Sequence, residues 1–411
     1  MSFISIFIFL LSTFTLSVFP AIEGQTTSSG TYNVDNYGAK GDGQSDDSQA
    51  ILRAWNAACR SAGSPTLVIS SRKYLVGPLQ FEGPCSNTGV FTVRVDGAIL
   101  ASTNLSLYEG DEWILFSHIS NLKLTGSGTF DGQGEAAWPL DQCPFSSQCK
   151  VLPVSLKFAY LNNTEVEGIT SLNPKFFHIA LLNNNNFKVH NIKATAPKDS
   201  PNTDGIHLEG CTGVKILDSS FATGDDCVSV GQGNTDVYIS NINCGPGHGI
   251  RYVLNSVGSL GRYAYEKDVN GLVVTGCNLT NTLNGVRIKS WQASPVTISA
   301  RNITFVHIIV ENVANPIIID QKYCPFKTSC DDSEPSRVKL SDITFSNIMG
   351  TSTSPVAVNL QCSAGFPCEG IKLQNINITY IGDEGATTSA CAHVNPSYSG
   401  LLVPVPCVIK S

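Results

Sequence analysis

From residue 115 onward the chain repeats one short pattern, and this repetition limits its possible folds more than any other feature. Copies include "LKLTGSGTF" (122–130), "EVEGITSLN" (165–173), "FKVHNIKAT" (187–195), "VKILDSSFA" (214–222) and "VYISNINCG" (237–245). The series continues with "LVVTGCNLT" (272–280), "ITFVHIIVE" (303–311), "ITFSNIMGT" (343–351) and "IKLQNINIT" (371–379). Each alternates apolar and polar positions, bends at a small polar, Gly or Asn residue, and resumes with an apolar one. A period of two marks a half-buried strand. Aligned copies begin 22 to 42 residues apart, the longer intervals carrying inserted loops. Repeats of this length with Asn/Gly corners form solenoids. Because no helices intervene, the pattern predicts an all-β fold, a single parallel β-helix. A β-sandwich would need closely spaced hairpin turns, which are scarce here.

Helix signals are confined to "GDGQSDDSQAILRAWNAAC" (41–59). Acidic and Ser residues precede a segment whose Ile51, Leu52, Trp55 and Cys59 share one face. Such a helix caps the first rung and hides an open sheet edge. Asp42, Asp46 and Asp47 lack the order of an EF-hand loop, so turn and cap duty is the better reading.

The first 24 residues are apolar and end in small residues before "QTTSSG". This is the form of a secretory signal peptide, leaving residues 25–411 as one mature domain. No later segment is apolar enough to span a bilayer. Fourteen cysteines in a secreted chain point to disulfides. Cys143/Cys149, Cys324/Cys330 and Cys362/Cys368 share one spacing, each pair stapling a small loop. No CxxC is present, and no metal or other cofactor is expected. A net charge of −7 disfavours nucleic acid, which requires clustered Lys and Arg.

Asp204 in "NTDG", Asp226 in "GDDC" and His248 in "GHG" lie 22 residues apart, twice in succession. That interval is one rung, so the three stack at roughly 4.8 Å per step. Asp225 adjoins Asp226, and the bend at Gly224 lets both lean into one cleft. Arg287 and Lys289 are two residues apart, which puts both cations on one side of a strand. Paired carboxyls, one kept protonated by its neighbours, suit glycosidic hydrolysis. The cations suit a uronic acid, whose carboxylate needs Arg or Lys. Any one of these aspartates alone reads equally well as a bend residue satisfying backbone amides. Four polar residues in register over three rungs favour function. The other histidines (His118, His178, His190, His207, His307 and His393) recur inside strand or bend patterns and read as structural.

In the order "NTDG", "GDDC", "GHG", "RIK", these motifs resemble the signature of polygalacturonases, glycoside hydrolase family 28. The likeness covers nearly all of the mature chain, and "NPIIIDQKYCPF" is similar to plant pollen-type exopolygalacturonases. The resemblance implies a right-handed parallel β-helix and a secreted, cell-wall hydrolase of exo type. Such an enzyme inverts α-1,4-galacturonosyl bonds of demethylated pectin and releases galacturonate. It implies Asp225 as general acid, with Asp204 and Asp226 positioning water and His248 tuning the acid's proton. By adjacency to Asp226, Asp225 is expected to be the carboxyl that stays protonated. Arg287 and Lys289 would grip the galacturonate carboxylate, and Tyr323 would line the cleft. Inversion ordinarily goes with carboxyls about 6.5–9.5 Å apart. The expected partner is polygalacturonate, bound by a monomer.

One stretch departs from the pattern. Where the family reads "GHGIS" and then "GSLG", this chain reads "GHGIRYVLNSVGSLG", so Arg251 to Asn255 look inserted after His248. The expectation is a register shift or a bulge beside the site. Other readings are an endo-polygalacturonase, a rhamnogalacturonan or xylogalacturonan hydrolase, or a wall-binding homologue inactivated by the insertion. A calcium-dependent lyase is disfavoured, as no acidic calcium-ligand cluster stands beside the cations. Sequons occur at Asn104, Asn162, Asn278, Asn302 and Asn377.

Overall fold

The computed structural model describes residues 30–141, 151–252, 260–324 and 334–407. Residues 1–24, Cys143, Cys149, Cys330 and most of the apparent insertion lie outside these residues. Among the described residues every strand pairing between named strands is parallel, in one sheet of 20 strands and another of 11. This is the predicted parallel β-helix.

The interior is built from ladders of like residues, because each inward side chain rests on its counterpart one rung away. On the 11-stranded sheet, Leu79, Ile114, Leu156, Ile179, Ile206, Val228, Ile250, Val286 and Ile317 succeed one another in register. All nine are 1% exposed or less, and each contributes about 1.5–3 kcal/mol by burial. On the larger sheet Phe187, Val214, Val237, Leu272, Ile303, Ile343 and Ile371 form an equivalent ladder.

Corners require a left-handed backbone, which Asn tolerates better than other side chains. Asn121, Asn163 and Asn186 take φ of 58°, 52° and 52° at successive corners. Their amides also stack: Asn186 Nδ2 donates to Asn163 Oδ1 at 2.8 Å, and Asn163 Nδ2 to Asn121 Oδ1 at 3.4 Å. The repeated Asn therefore sets the bend and ties one rung to the next. All five sequon asparagines are exposed; Asn278 and Asn302 spend their amides on such inter-rung bonds.

The helix Ser48–Cys59 covers the first rung. It buries Ile51, Trp55 and Cys59 as expected, together with Ala50, Ala54 and Ala58. Trp55 lies 4.6 Å from the Phe81 ring and 4.8 Å from Phe91, and rings continue inward through Phe116 and Phe158. The neighbouring carboxylates do turn and cap work. Asp46 accepts from Ser48 N, Asp47 from Lys40 N and Gly41 N, and Asp42 from Gln44 N and Ser45 N.

Cys362–Cys368 is bridged as the spacing predicts, and Cys324 is disulfide-bonded. Cys59–Cys85 ties the helix to the wall, Cys227–Cys244 lies beside the GDDC bend, and Cys391–Cys407 closes the far end. Among the described residues, Cys211 and Cys277 are free and buried.

Candidate active site

Three successive strands of the smaller sheet, Ile206–Glu209, Val228–Val230 and Ile250–Tyr252, carry the site. Asp204, Asp226 and His248 each stand two residues before their strand, so register places them one above another. Backbone bonds hold this alignment: Gly205 N donates to Asp226 O and Cys227 N to Gly249 O. The GDDC bend is locked from both sides. Thr203 Oγ1 accepts from Gly224 N at 2.9 Å, and Thr223 Oγ1 donates to Asp225 O at 2.9 Å. A Cβ on Gly224 would fall 2.0 Å from Ser200 O, so only glycine permits this approach.

Asp225 and Asp226 both turn into the cleft, as the bend implies. Oxygens of the two carboxylates and a ring nitrogen of His248 all lie within 4.8 Å of one another. His248 Nδ1 donates to Asp225 Oδ1 at 2.8 Å. Ser229 Oγ donates to Asp204 Oδ2 at 2.6 Å, and His207 Nδ1 sits 2.9 Å from the same hydroxyl. With Asp204 ionised, the hydroxyl proton goes to the carboxylate, and His207 donates to the hydroxyl in turn. Burial pushes the His207 imidazole down to about 4, so it remains neutral. His207, read from the sequence as structural, thus supports a site residue and stacks on Phe177 at 4.9 Å.

Beyond the aspartates, the strand Asn284–Trp291 carries both cations. Lys289 is 1% exposed, with Nζ 3.7 Å from the Tyr323 ring centroid. Arg287 lies over the same ring at 5.4 Å and donates to Asp320 at 2.8 Å. Burial, then the charges of Arg251 and Arg287, pull the Lys289 ammonium well below its ordinary range. An anion placed there relieves that repulsion.

Arg251 and Tyr252, the described residues of the apparent insertion, keep the register, and 253–255 lie outside the described residues. Ile250, Arg251 and Tyr252 pair residue for residue with Val228, Ser229 and Val230 on one side. On the other side they pair with Val286, Arg287 and Ile288. Ile250 keeps its place in the core, and Arg251 takes the outward position between Ser229 and Arg287. Its guanidinium reaches Asp226 Oδ2 at 2.5 Å and Asp225 Oδ1 at 3.9 Å. Sequence reasoning treated Arg251 as inserted and overlooked Ser229 and His207. The 22-residue interval would have found all three, since they follow Asp204, Asp226 and His248 by three residues each.

Protonation also differs from expectation. Burial, reinforced by the charges of Asp225 and Asp226, raises Asp204 well above the carboxylate range. Burial raises Asp226 to about 6 against the opposing charge of Arg251. Burial acts the same way on Asp225, but His248, Arg251 and Lys289 outweigh it and hold this carboxyl low. His248 is itself raised: burial opposes its charge, and the bond to Asp225 prevails. Adjacency therefore does keep a proton on the triad, but on the Asp204/Asp226 side, while Asp225 shares a proton with His248. The 4.8 Å limit between Asp225 and Asp226 oxygens is also shorter than the carboxyl separation expected for inversion.

The other described cluster of carboxylates with a histidine, Glu165, Glu167 and His190, faces Lys123 and Lys188 and is neutralised on the outer wall.

Desolvated carboxyls sharing protons on the open face of a parallel β-helix, with cations alongside, define a glycoside hydrolase. Comparison with known proteins narrows the class. A family model for glycosyl hydrolases family 28 matches residues 59–401. An exopolygalacturonase of Platanus acerifolia is 44% identical over 93% of this chain and 99% of its own length. One from Zea mays is 41% identical over 96% and 97%. An endo-xylogalacturonan hydrolase of Aspergillus tubingensis superposes with a TM-score of 0.77 at 25% identity, covering 90% of this chain and 100% of that one. The chain belongs to glycosyl hydrolases family 28.

Proposed function

We propose that this protein is a cell-wall exo-polygalacturonase that hydrolyses α-1,4-galacturonosyl bonds of demethylated pectin and releases galacturonate. The observation carrying this reading is the meeting of Asp204, Asp225 and Asp226 with Arg287 and Lys289 across a cleft lined by Tyr323. The exopolygalacturonases similar over nearly the whole chain support the exo mode. Secretion of residues 25–411 after loss of residues 1–24 fits the disulfides. No helix among the described residues is long and apolar enough to cross a membrane. The enzyme works as a monomer, and it needs no nucleic acid.

Arg287 and Lys289 bind the sugar carboxylate and fix the glycosidic oxygen near Asp225. Asp225 passes the proton it shares with His248 to that oxygen as the C1–O bond breaks. Asp226, whose Oδ1 has no hydrogen-bond partner among the described residues, takes a proton from water as the new C1–OH bond forms, and Asp204 holds that water in position. The family resemblance implies inversion, whereas the short Asp225–Asp226 separation is nearer that of a retaining pair; following the anomeric proton in fresh digests decides between them. Product analysis on polygalacturonate tests the whole reading: galacturonate alone supports it, mixed oligomers indicate an endo enzyme, and retention of the polymer without reducing ends indicates a binder.

Removing the ammonium in Lys289→Ala lowers kcat/KM by roughly 10–100-fold, mostly through KM, since a hydrogen bond to a charged group is worth about 1.5–3 kcal/mol. An unchanged KM on polygalacturonate rules out its role in holding substrate.

The pH profile follows from the same groups. Asp226 must be ionised to act as base, so kcat/KM rises as pH passes about 6. The His248–Asp225 pair must hold its proton, and His248 is raised above its ordinary 6.5, so activity falls again at higher pH. The expected profile is a narrow bell bounded by these two ionisations; one flat across both contradicts the assignment.

A further inference from the structure

Arg251 stands between Ser229 and Arg287 on the smaller sheet, its position defined by pairing on both sides. It is mostly buried, with 13% of its side chain exposed. Its Nη2 holds Asp226, while its Nε has no hydrogen-bond partner among the described residues. The Nε of Arg287, one rung on, is likewise unpartnered. Two neighbouring guanidinium groups thus keep donors in reserve on the same face, and a planar fork of donors matches a carboxylate.

We propose that Arg251 is a specificity-determining residue: its guanidinium, held on Asp226, passes to the carboxylate of a bound uronate and thereby couples recognition of an anionic sugar to protonation of the aspartates. The inference rests on the pectin-hydrolase reading above and adds a third cation to Arg287 and Lys289.

The coupling has a definite sign. The charge of Arg251 lowers Asp204, Asp225 and Asp226 alike. The other groups facing them are His248 on the same rung as Arg251, His207 two rungs below, and Lys289, Arg287 and Tyr323 above. Neutralising the guanidinium with a second carboxylate raises all three aspartates, so the site takes up protons as a uronate binds. A neutral sugar has no carboxylate to attract Arg251 and produces no uptake.

Calorimetric titration of the full chain with galacturonate near pH 6, in two buffers of different ionisation enthalpy, measures both affinity and protons taken up. Galactose serves as the neutral probe. The expected result is net proton uptake with galacturonate and at least tenfold weaker binding of galactose. Arg251→Ser should lose about tenfold in galacturonate affinity together with the uptake, and its acid limb in kcat/KM on polygalacturonate should move up from about 6. Arg251→Lys, which keeps the charge but not the fork, should restore the uptake and only part of the affinity.

Arg251→Ser with unchanged affinity and uptake overturns the proposal. So does a serine variant with raised kcat at constant KM, which would make the guanidinium an obstruction. In both cases the wild-type chain still releases galacturonate, so the hydrolase reading stands. A wild-type chain that neither binds galacturonate nor cleaves polygalacturonate overturns both.

Discussion

Asp225→Asn lowers turnover on polygalacturonate by about 10²–10⁴-fold, the usual contribution of a general acid, and leaves the fold intact. The substitution is isosteric, and the amide oxygen still accepts from His248 Nδ1, now 2.8 Å from Asp225 Oδ1. What disappears is the carboxyl that takes the proton from His248 and hands it to the leaving oxygen. A second consequence separates this loss from general damage. The Asp225 charge raises both Asp204 and Asp226, so removing it brings both down. Residual activity should therefore have its acid limb below about 6, the opposite direction from Arg251→Ser. Turnover and pH profile, with a thermal melt as the folding control, make the measurement. Near-normal turnover means that another group protonates the leaving sugar.

Trp55→Ala destabilises the chain by about 3–5 kcal/mol, the range for deleting a large buried aromatic. Trp55 is 1% exposed and contacts Phe81, Phe91 and Phe116, so its removal leaves a void where the cap meets the first rungs. A solenoid gains stability from neighbour to neighbour, and the site residues, 204 to 323, lie several rungs away. Activity at temperatures well below the transition should therefore be retained while the denaturant midpoint falls. The loosened cap also uncovers the edge of the first rung, so the variant should associate more readily than the parent, as light scattering would detect. A denaturant midpoint equal to the parent's means that the cap is dispensable.

The rungs were legible from sequence because a β-helix repeats its environment. Ile206, Val228 and Ile250 occupy equivalent positions and so meet the same demand for an apolar side chain. Asn121, Asn163 and Asn186 meet the same demand for positive φ. The 22-residue interval carried the site as well, since the residues separating Asp204, Asp226 and His248 amount to one full turn of the coil. His207, Ser229 and Arg251 obey the same interval but carry no motif, so the pattern alone did not mark them.

The chain's own pattern thus determined the architecture, the capping helix and the identities of the carboxyls and cations in the cleft. All of these follow from periodicity and from residue type. Tertiary structure decided which atoms share a proton. The sequence has Asp225 and Asp226 as equals, yet one faces His248 and the other Arg251, and burial acts on both. It also decided that Arg251 continues a strand and enters the cleft. That outcome depends on Ile250 and Tyr252 finding partners on both neighbouring rungs, a long-range condition that no local pattern records.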